Sequence, residues 1–263
     1  MNTPTHSSVP VQRVAEHNRG ELIYAIGKIR PSFPALNLEK QYEAAAQSIK
    51  ANPDDFHTVF NYQVTTDNQP QLTYRPFLYL ANQATWVLTI NLVDTYVLKP
   101  ETPTQLDALI NTTSQAQSTY IVNGQMTGFD VPYYSDGTIL PLVCVKHLIN
   151  STDITVPTLA DGQPANRPLP LPALKPSVGL SAKDRAGNYF LSHFYQIVVT
   201  NAHTLVLQDV QAIHVQPLND ESTQQSFEFI LTDSDRMRYA CSIDVTNQYP
   251  FVSSRLSPFA KSN

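Results

Sequence analysis

Three histidines in the carboxyl-terminal third of the chain have a residue type and spacing that could bind a metal ion: His193, His203 and His214. Neutral imidazole is a common zinc ligand, and a zinc site needs three or four ligands that the fold brings to one point. His193 lies on an apolar helical stripe between Phe190 and Ile197. A hydrogen-bonded core or surface histidine without a metal is therefore the preferred interpretation of each. The main expectation is that the protein has no cofactor, with zinc as the alternative.

Other residue types that carry chemistry form no recognisable signature. Cys144 and Cys241 are the two cysteines, which are too few for a disulfide framework and lack the C-x-x-C spacing. Cys144 and His147 are three residues apart on a predicted strand, where alternation places them on opposite faces. Asp233 and Asp235 could form an acid–base pair, but Asp-Ser-Asp between two strands is typical of a turn. The sequence therefore predicts no catalytic residue.

The last residues of the chain combine aromatic side chains with prolines on an extended tail after the final predicted strand. Tyr249, Phe251, Arg255 and Phe259 are the candidates there for binding a peptide or a partner protein. Aromatic and arginine side chains are enriched at recognition surfaces. An extended segment can also pack onto its own sheet, which is the preferred interpretation of this tail. Partner binding is the functional alternative.

The composition argues against several classes of function. The 263 residues include 17 Lys and Arg against 22 Asp and Glu, a formal net charge of -5. The cations are scattered, so the sequence shows no electrostatic footprint for a phosphate backbone. Glycine numbers only 8, and the glycine-rich motifs of nucleotide-binding loops do not occur. No stretch approaches the ~20 apolar residues of a membrane span. We expect a soluble, cytoplasmic protein that binds neither nucleic acid nor membrane.

Hydrophobic periodicity predicts the elements that position these residues. Helical spacing predicts helices near residues 37–50, 76–84, 103–110 and 186–197, with Asn37 as the cap of the first. The third begins with a T-x-x-Q capping box that has proline at its first helical position.

Runs rich in β-branched and aromatic residues predict the strands. They lie at residues 22–29, 58–62, 86–90, 95–98, 118–122, 139–147, 205–216, 227–231 and 237–245. Turn residues between two pairs of these runs predict antiparallel hairpins. Because the β-α-β rhythm of a parallel sheet is missing, the predicted class is α+β, with antiparallel hairpins and a mixed sheet packed with several helices.

The chain is predicted to form one domain behind a short arm. Residues 1–20 are polar and predict a disordered arm, and residues 21–263 predict a single α+β domain. Six prolines fall between positions 157 and 176, and they predict an extended stretch at 156–176. This stretch is the one candidate linker between subdomains.

Three blocks of sequence resemble the domain at the carboxyl terminus of the patellamide-type, or cyanobactin, maturation proteases. They occur in order along the chain and together span most of it. The blocks are YAIG to FPAL and EK at 24–40, LA to WVLTI, DTYVLKP and LDAL at 80–109, and IDVT to YPF and RLSPF at 243–259. The last block ends close to the carboxyl terminus, which makes the resemblance specific.

The resemblance implies a pathway and leaves the activity open. Such domains belong to pathways that make ribosomal, post-translationally modified peptides, in which a protease domain trims and cyclises a precursor peptide while the appended domain has no assigned reaction. No subtilisin-like domain precedes this one, so we expect it to be free-standing. We predict a noncatalytic accessory protein that binds a precursor peptide or a peptide-modifying enzyme and forms a homodimer. The alternatives are a peptide-modifying, metal-dependent enzyme and an oligomerisation domain.

Overall fold

The computed structural model describes seven ranges of the chain: 20–66, 69–115, 118–129, 139–151, 174–199, 210–218 and 224–259. The predicted arm before residue 20, most of the Pro-rich stretch at 156–176 and the first part of the predicted strand at 205–216 lie outside these ranges. Within them, no helix has both the length and the apolar character to cross a membrane.

Strands and helices alternate in the first half of the chain, and strands dominate the end. The strands are β1 (Leu22–Ser32), β2 (Val64–Thr66), β3 (Gln69–Tyr74), β4 (Thr85–Ile90), β5 (Val93–Lys99), β6 (Tyr120–Phe129), β7 (Pro141–Asn150), β8 (Ala212–Pro217), β9 (Ser226–Thr232), β10 (Arg238–Asp244) and β11 (Phe251–Pro258). The helices are α1 (Leu36–Ser48), α2 (Phe56–Phe60), α3 (Leu78–Gln83), α4 (Pro103–Thr112) and α5 (Ala182–Val199).

Five strands close into a barrel in the order β1-β4-β5-β7-β6. Its neighbours are antiparallel except β5 and β7, which run parallel. Strand β1 closes the barrel by pairing with two strands: its first part, Leu22–Gly27, pairs with β6, and its second part, Lys28–Ser32, pairs with β4. A helix, α4, lies in sequence between the third and fourth barrel strands. This strand order is that of the OB fold, a five-stranded Greek-key barrel.

The barrel interior and helices α1 to α4 share one apolar core. Trp86 is 1% exposed in this core, and its indole Nε1 donates to the Ala81 carbonyl at 3.1 Å. The predicted capping box is present at the start of α4, where Thr102 and Gln105 bond each other's backbone N–H groups. We call this part, β1 to β7 with α1 to α4, the barrel region.

Three local predictions for the barrel region are wrong. The first strand was predicted to end at residue 29, but β1 continues through Pro31 to Ser32. Beyond Gly27 it pairs with β4 alone, so one face of its backbone has no ladder that needs the missing N–H of the proline. Residues 56–60 form helix α2 where a strand was predicted, and the Asp55 side chain caps it by accepting from Thr58 N at 3.0 Å. Asn37 lies inside α1, which has no side-chain cap.

The remaining described elements form a second layer, which we call the sheet region. Its four strands lie in the order β11-β10-β9-β8, and α5 packs on one face of the sheet. Phe190 of α5 stacks on Phe229 of β9 with ring centroids 4.4 Å apart. The predicted hairpin is confirmed as β9 and β10, which pair antiparallel. The extended tail after it packs onto its own sheet, the preferred interpretation: residues 251–258 form β11 and pair with β10, and Val252 and Leu256 join the core beneath α5.

The α+β class is confirmed, with antiparallel hairpins, one mixed sheet and several packed helices. The mixed character comes from a single parallel contact, between β5 and β7.

Candidate functional site

A buried polar joint connects the two regions beneath β11. Tyr24 of β1 donates its N–H to the Gly179 carbonyl at 3.1 Å. Asn188 of α5 is fully buried, and its amide donates to the carbonyls of Tyr24 at 2.8 Å and Ser177 at 3.0 Å. Its amide oxygen accepts from Ser177 N at 2.9 Å. The rings of Tyr24 and Tyr189 lie 5.8 Å apart in the same joint. The sheet region is thus fixed on the outer surface of β1.

The loop before β11 is held to the barrel by a second set of contacts. Asn123 of β6, which is buried, donates its amide to the Gln248 carbonyl at 2.9 Å. Arg185 of α5 donates to the Asn247 carbonyl of this loop at 3.5 Å, and burial lowers the pKa of its guanidinium. Tyr249 meets His147 of β7 edge to face, with ring centroids 4.6 Å apart. These contacts determine where β11 begins.

A bulge in β7 places His147 where Tyr249 can reach it. Val145 and Leu148 both contact the barrel core, so Lys146 is an extra residue between them in the register. The prediction that Cys144 and His147 lie on opposite faces is wrong, because the bulge turns both side chains outward. Sequence alternation alone could not show this extra residue.

The residues predicted to bind a partner lie along β11 and differ in exposure. Tyr249 and Phe251 are 46% and 47% exposed, and Arg255 is also exposed. Phe259 is partly buried beneath the Arg238 guanidinium, whose central carbon lies 4.7 Å from the ring centroid. We call the exposed residues Tyr249, Phe251 and Arg255 the β11 surface. Two aromatic side chains there are open to a partner, while Phe259 is engaged within the sheet region.

The histidines predicted as metal ligands do not converge where the structure describes them. His193 stacks on Tyr189 at 4.1 Å, and its Nδ1 lies 3.1 Å from the Tyr189 carbonyl. Burial lowers the pKa of His193, and the carbonyl contact offsets part of the effect. His214 is exposed on the face of β8 away from α5, since its neighbours Ile213 and Val215 pack beneath α5.

His203 lies outside the described residues. Among the residues that the structure describes, no three His, Cys, Asp or Glu side chains are grouped to hold a metal ion.

The acidic pair between β9 and β10 is a turn, as predicted. Asp233 is buried, and its Oδ1 accepts from the backbone N–H groups of Asp235 at 2.9 Å and Met237 at 2.8 Å. The Asp233 carboxylate therefore stabilises the turn by accepting backbone hydrogen bonds.

A groove of about 560 Å³ runs along the rim of the barrel beside the β4–β5 turn. Ile29, Pro31 and Phe56 contribute apolar walls, and an Arg30–Asp94 ion pair at 2.6 Å crosses it. Leu92 at the tip of the turn is 93% exposed and has a positive φ of 69°.

The polar groups of the joint were missed by sequence reasoning. Asn188 falls within the predicted helical stripe of Phe190 and Ile197, where an apolar residue is the rule. A buried asparagine among such residues is the signal that could have been read, because buried polar groups are nearly always hydrogen-bonded. Its partners are backbone groups of distant segments, and spacing along the chain does not reveal them.

Comparison with known proteins bears on this arrangement. The sequence model of the PatG Domain family matches residues 22–136. A solved structure described as "PatG Domain of Unknown Function" has the same fold, with a TM-score of 0.63 and 17% sequence identity over 91% of this chain and 99% of that one. No curated protein matches the chain. The resemblance predicted from the sequence is thereby confirmed: residues 22–136 match the PatG Domain, and the chain shares the fold of that domain.

Proposed function

We propose that this chain is a cytoplasmic, noncatalytic accessory module of a cyanobactin-like peptide pathway, and that it docks a peptide-modifying enzyme through the β11 surface. The observation that carries the proposal is the exposure of Phe251 and Arg255 on β11 and of Tyr249 in the loop just before it. Aromatic and arginine side chains are enriched among the hot spots of protein interfaces, since an aromatic ring buries a large area with few rotatable bonds and a guanidinium offers several hydrogen-bond donors. Singly exposed apolar residues are ordinary, but two exposed aromatics beside an arginine form a recognition surface.

The shape of β11 favours a folded partner that contacts side chains. The pairing of β11 with β10 shifts register at two places, around Ser242, and such bulges twist an edge away from further pairing. Pro258 removes one backbone donor from the strand, a second protection of a sheet edge. A partner at this edge therefore meets side chains more readily than a regular row of backbone groups.

The joint supports the proposal by making the β11 surface rigid. Tyr249 is held by His147, and the preceding residue is bonded by the buried Asn123. A surface that is ordered before binding loses little conformational entropy when a partner docks.

The pathway assignment rests on the family. The resemblance to the cyanobactin maturation proteases implies a role beside precursor processing, and the match to the PatG Domain supports it. The solved relative carries the description of unknown function, so the docking role is our own inference from the surface.

Binding measurements with the pathway enzymes test the proposal. The purified chain is titrated with the peptide-modifying enzymes and precursor peptides encoded beside its own gene. We expect one enzyme to bind, and the double variant Phe251→Ser with Arg255→Glu to weaken that binding by at least about tenfold, since hot-spot residues cost ~2 kcal/mol or more. Met237→Ser is the matched control, because Met237 is 53% exposed at the opposite end of β10.

Three results would contradict the docking role. They are no binding by any pathway enzyme, equal weakening by the Met237 control, and full binding by the double variant. Light scattering during the titration shows whether the β11 surface takes a second copy of the chain instead, which would favour the homodimer over enzyme docking.

A further inference from the structure

The two edges of the four-stranded sheet are built differently. The β8 edge pairs with β9 over six consecutive residues, Ala212–Pro217, without a register shift. It carries no lysine, arginine or carboxylate among those residues. Natural sheets protect their edges with bulges, charges or coverage, because an unprotected edge is a template for another strand. Among the residues that the structure describes, the β11 edge has such bulges, whereas β8 has only the proline at its end.

In β8, every second residue directs its backbone N–H and C=O groups toward β9, and the residues between them direct these groups outward. Leu218 donates its N–H to the Ser226 carbonyl at 2.8 Å, in register with the β8–β9 pairs. Hydrogen-bonded pairs recur at every second residue of an antiparallel ladder. Ile213 and Val215 therefore direct their N–H and C=O groups away from β9. Within the part of the chain that the structure describes, no strand pairs with β8 on that side.

The side chains of β8 define what an added strand would carry. Ile213 and Val215 are partly buried and pack beneath α5, whereas Ala212 and His214 lie on the opposite, exposed face. Side chains of adjacent strands align on each face of a sheet. An incoming strand would place apolar residues beside Ile213 and Val215 and polar residues beside His214.

We infer that the outward edge of β8 binds an extended peptide segment by strand addition, and that the segment alternates apolar with polar residues and lacks proline where it pairs. The occupant is a peptide backbone in extended conformation, because its alternating C=O and N–H groups can pair with the outward N–H and C=O groups of β8. The site is separate from the β11 surface, at the opposite edge of the same sheet. A module with both would hold a flexible peptide on one side and a folded enzyme on the other.

A backbone-modified probe tests this site without altering the protein. The probe is a short fluorescein-labelled peptide of alternating threonine and valine with a lysine at each end, and its twin carries N-methyl groups on the amides of one pairing edge. Fluorescence anisotropy should show binding of the probe to the full chain and binding at least about tenfold weaker for the N-methylated twin, since the twin loses backbone donors.

Two substitutions at one position give the matched pair of proteins. Val215→Pro removes an outward N–H that the β9 ladder does not use, whereas Val215→Thr keeps it with a similar shape. We expect Val215→Thr to bind the probe as the wild type does and Val215→Pro to lose at least about tenfold in affinity.

Equal binding of the probe and its N-methylated twin would overturn the inference. So would failure of the unmodified probe to bind, or full binding by Val215→Pro. If Val215→Pro does not fold, as judged by circular dichroism, the twin probe on the wild-type chain decides the question. Enzyme binding at the β11 surface is measured separately, so either proposal can fail while the other stands.

Discussion

The barrel region and the sheet region are both built from strands and helices, but they differ in how many of their strands have a neighbour on both sides. In the barrel, each strand has a neighbour on both sides, and four helices share its core. In the sheet region, one helix covers one face and the other face carries buried polar residues such as Ser242 and Asp244. Among the described strands, the two outer ones of this sheet have a neighbour on one side only. Closure satisfies backbone groups internally, whereas an open sheet presents them. The barrel strands therefore bond one another around the closure, whereas the described sheet ends in two strands that pair on one side only.

Helix α5 makes the open sheet depend on the closed barrel. One stripe of the helix, including Phe190 and Phe194, lies in the core of the sheet region. A neighbouring stripe meets Tyr24 and Ile26 on the outer face of β1. Because the only described helix over the sheet is shared, loosening the joint should affect the sheet region more than the barrel.

The largest expected effect comes from breaking the joint at Gly179. Its φ is +70°, and an added Cβ would lie 2.1 Å from the Tyr24 carbonyl oxygen. Gly179→Ala should therefore lower the free energy of unfolding by at least about 3 kcal/mol, from backbone strain together with the clash. Urea unfolding followed by circular dichroism measures the change.

Gly187→Ala is the matched control for that experiment. Gly187 lies in α5 and a Cβ there meets nothing within 4 Å, so alanine should raise the free energy of unfolding by up to about 1 kcal/mol. Equal stability of the two variants would show that the joint does not hold the sheet region in place.

A smaller effect is expected at the exposed turn of the barrel. Asn91 and Leu92 both have positive φ, 49° and 69°, the geometry of a type I′ turn that favours Asn-Gly. Leu92→Gly should raise the free energy of unfolding by about 1 kcal/mol, because it relieves the left-handed strain. Leu92→Ala keeps a Cβ in the same conformation and should show no such gain. A stabilised alanine variant would assign the effect to the exposed side chain instead.

The smallest effect concerns the pH dependence of the sheet region. Burial lowers the pKa of His193 below its usual value near 6.5, so the unfolded chain takes up a proton more readily than the folded chain. The stability from the neutral imidazole is complete above about pH 6.5 and is lost as the pH falls toward the folded pKa, with a slope below about 1.4 kcal/mol per pH unit.

Thermal unfolding between pH 7.5 and 5 compares the wild type with His193→Gln. The variant should show a shallower loss of stability over this range, and His214→Gln, at an exposed position, should retain the wild-type slope. An unchanged slope in His193→Gln would mean that another group controls the pH dependence.

The sequence predicts the local elements best where a physical signal is confined to neighbouring residues. The capping box at Thr102–Gln105, the alternation along β10 and the turn at Asp233–Arg236 all belong to this class, and the structure contains each of them. Short runs such as residues 56–60 are ambiguous, since Val59 and Phe60 are both buried and period alone does not separate helix from strand.

Long-range relations were beyond the sequence for a different reason. The pairing of β5 with β7, the bulge at Lys146 and the contacts of Asn188 each depend on segments that are far apart along the chain. The candidate surface was predicted by residue type, with Tyr249, Phe251, Arg255 and Phe259 all on or beside β11. That Arg238 covers Phe259, and that β8 is the last of the described strands in its sheet, follows only from the folded arrangement.

Each region contains one buried cysteine whose reaction with an alkylating reagent can report local opening. Cys144 is buried in the barrel wall and Cys241 in the core beneath α5, and neither forms a disulfide. Burial raises the pKa of the Cys241 thiol to about 12, so that thiol reacts with alkylating reagents only when its surroundings open. Two single-cysteine forms of the chain, each retaining one thiol, would therefore report through their alkylation rates how often the barrel region and the sheet region open.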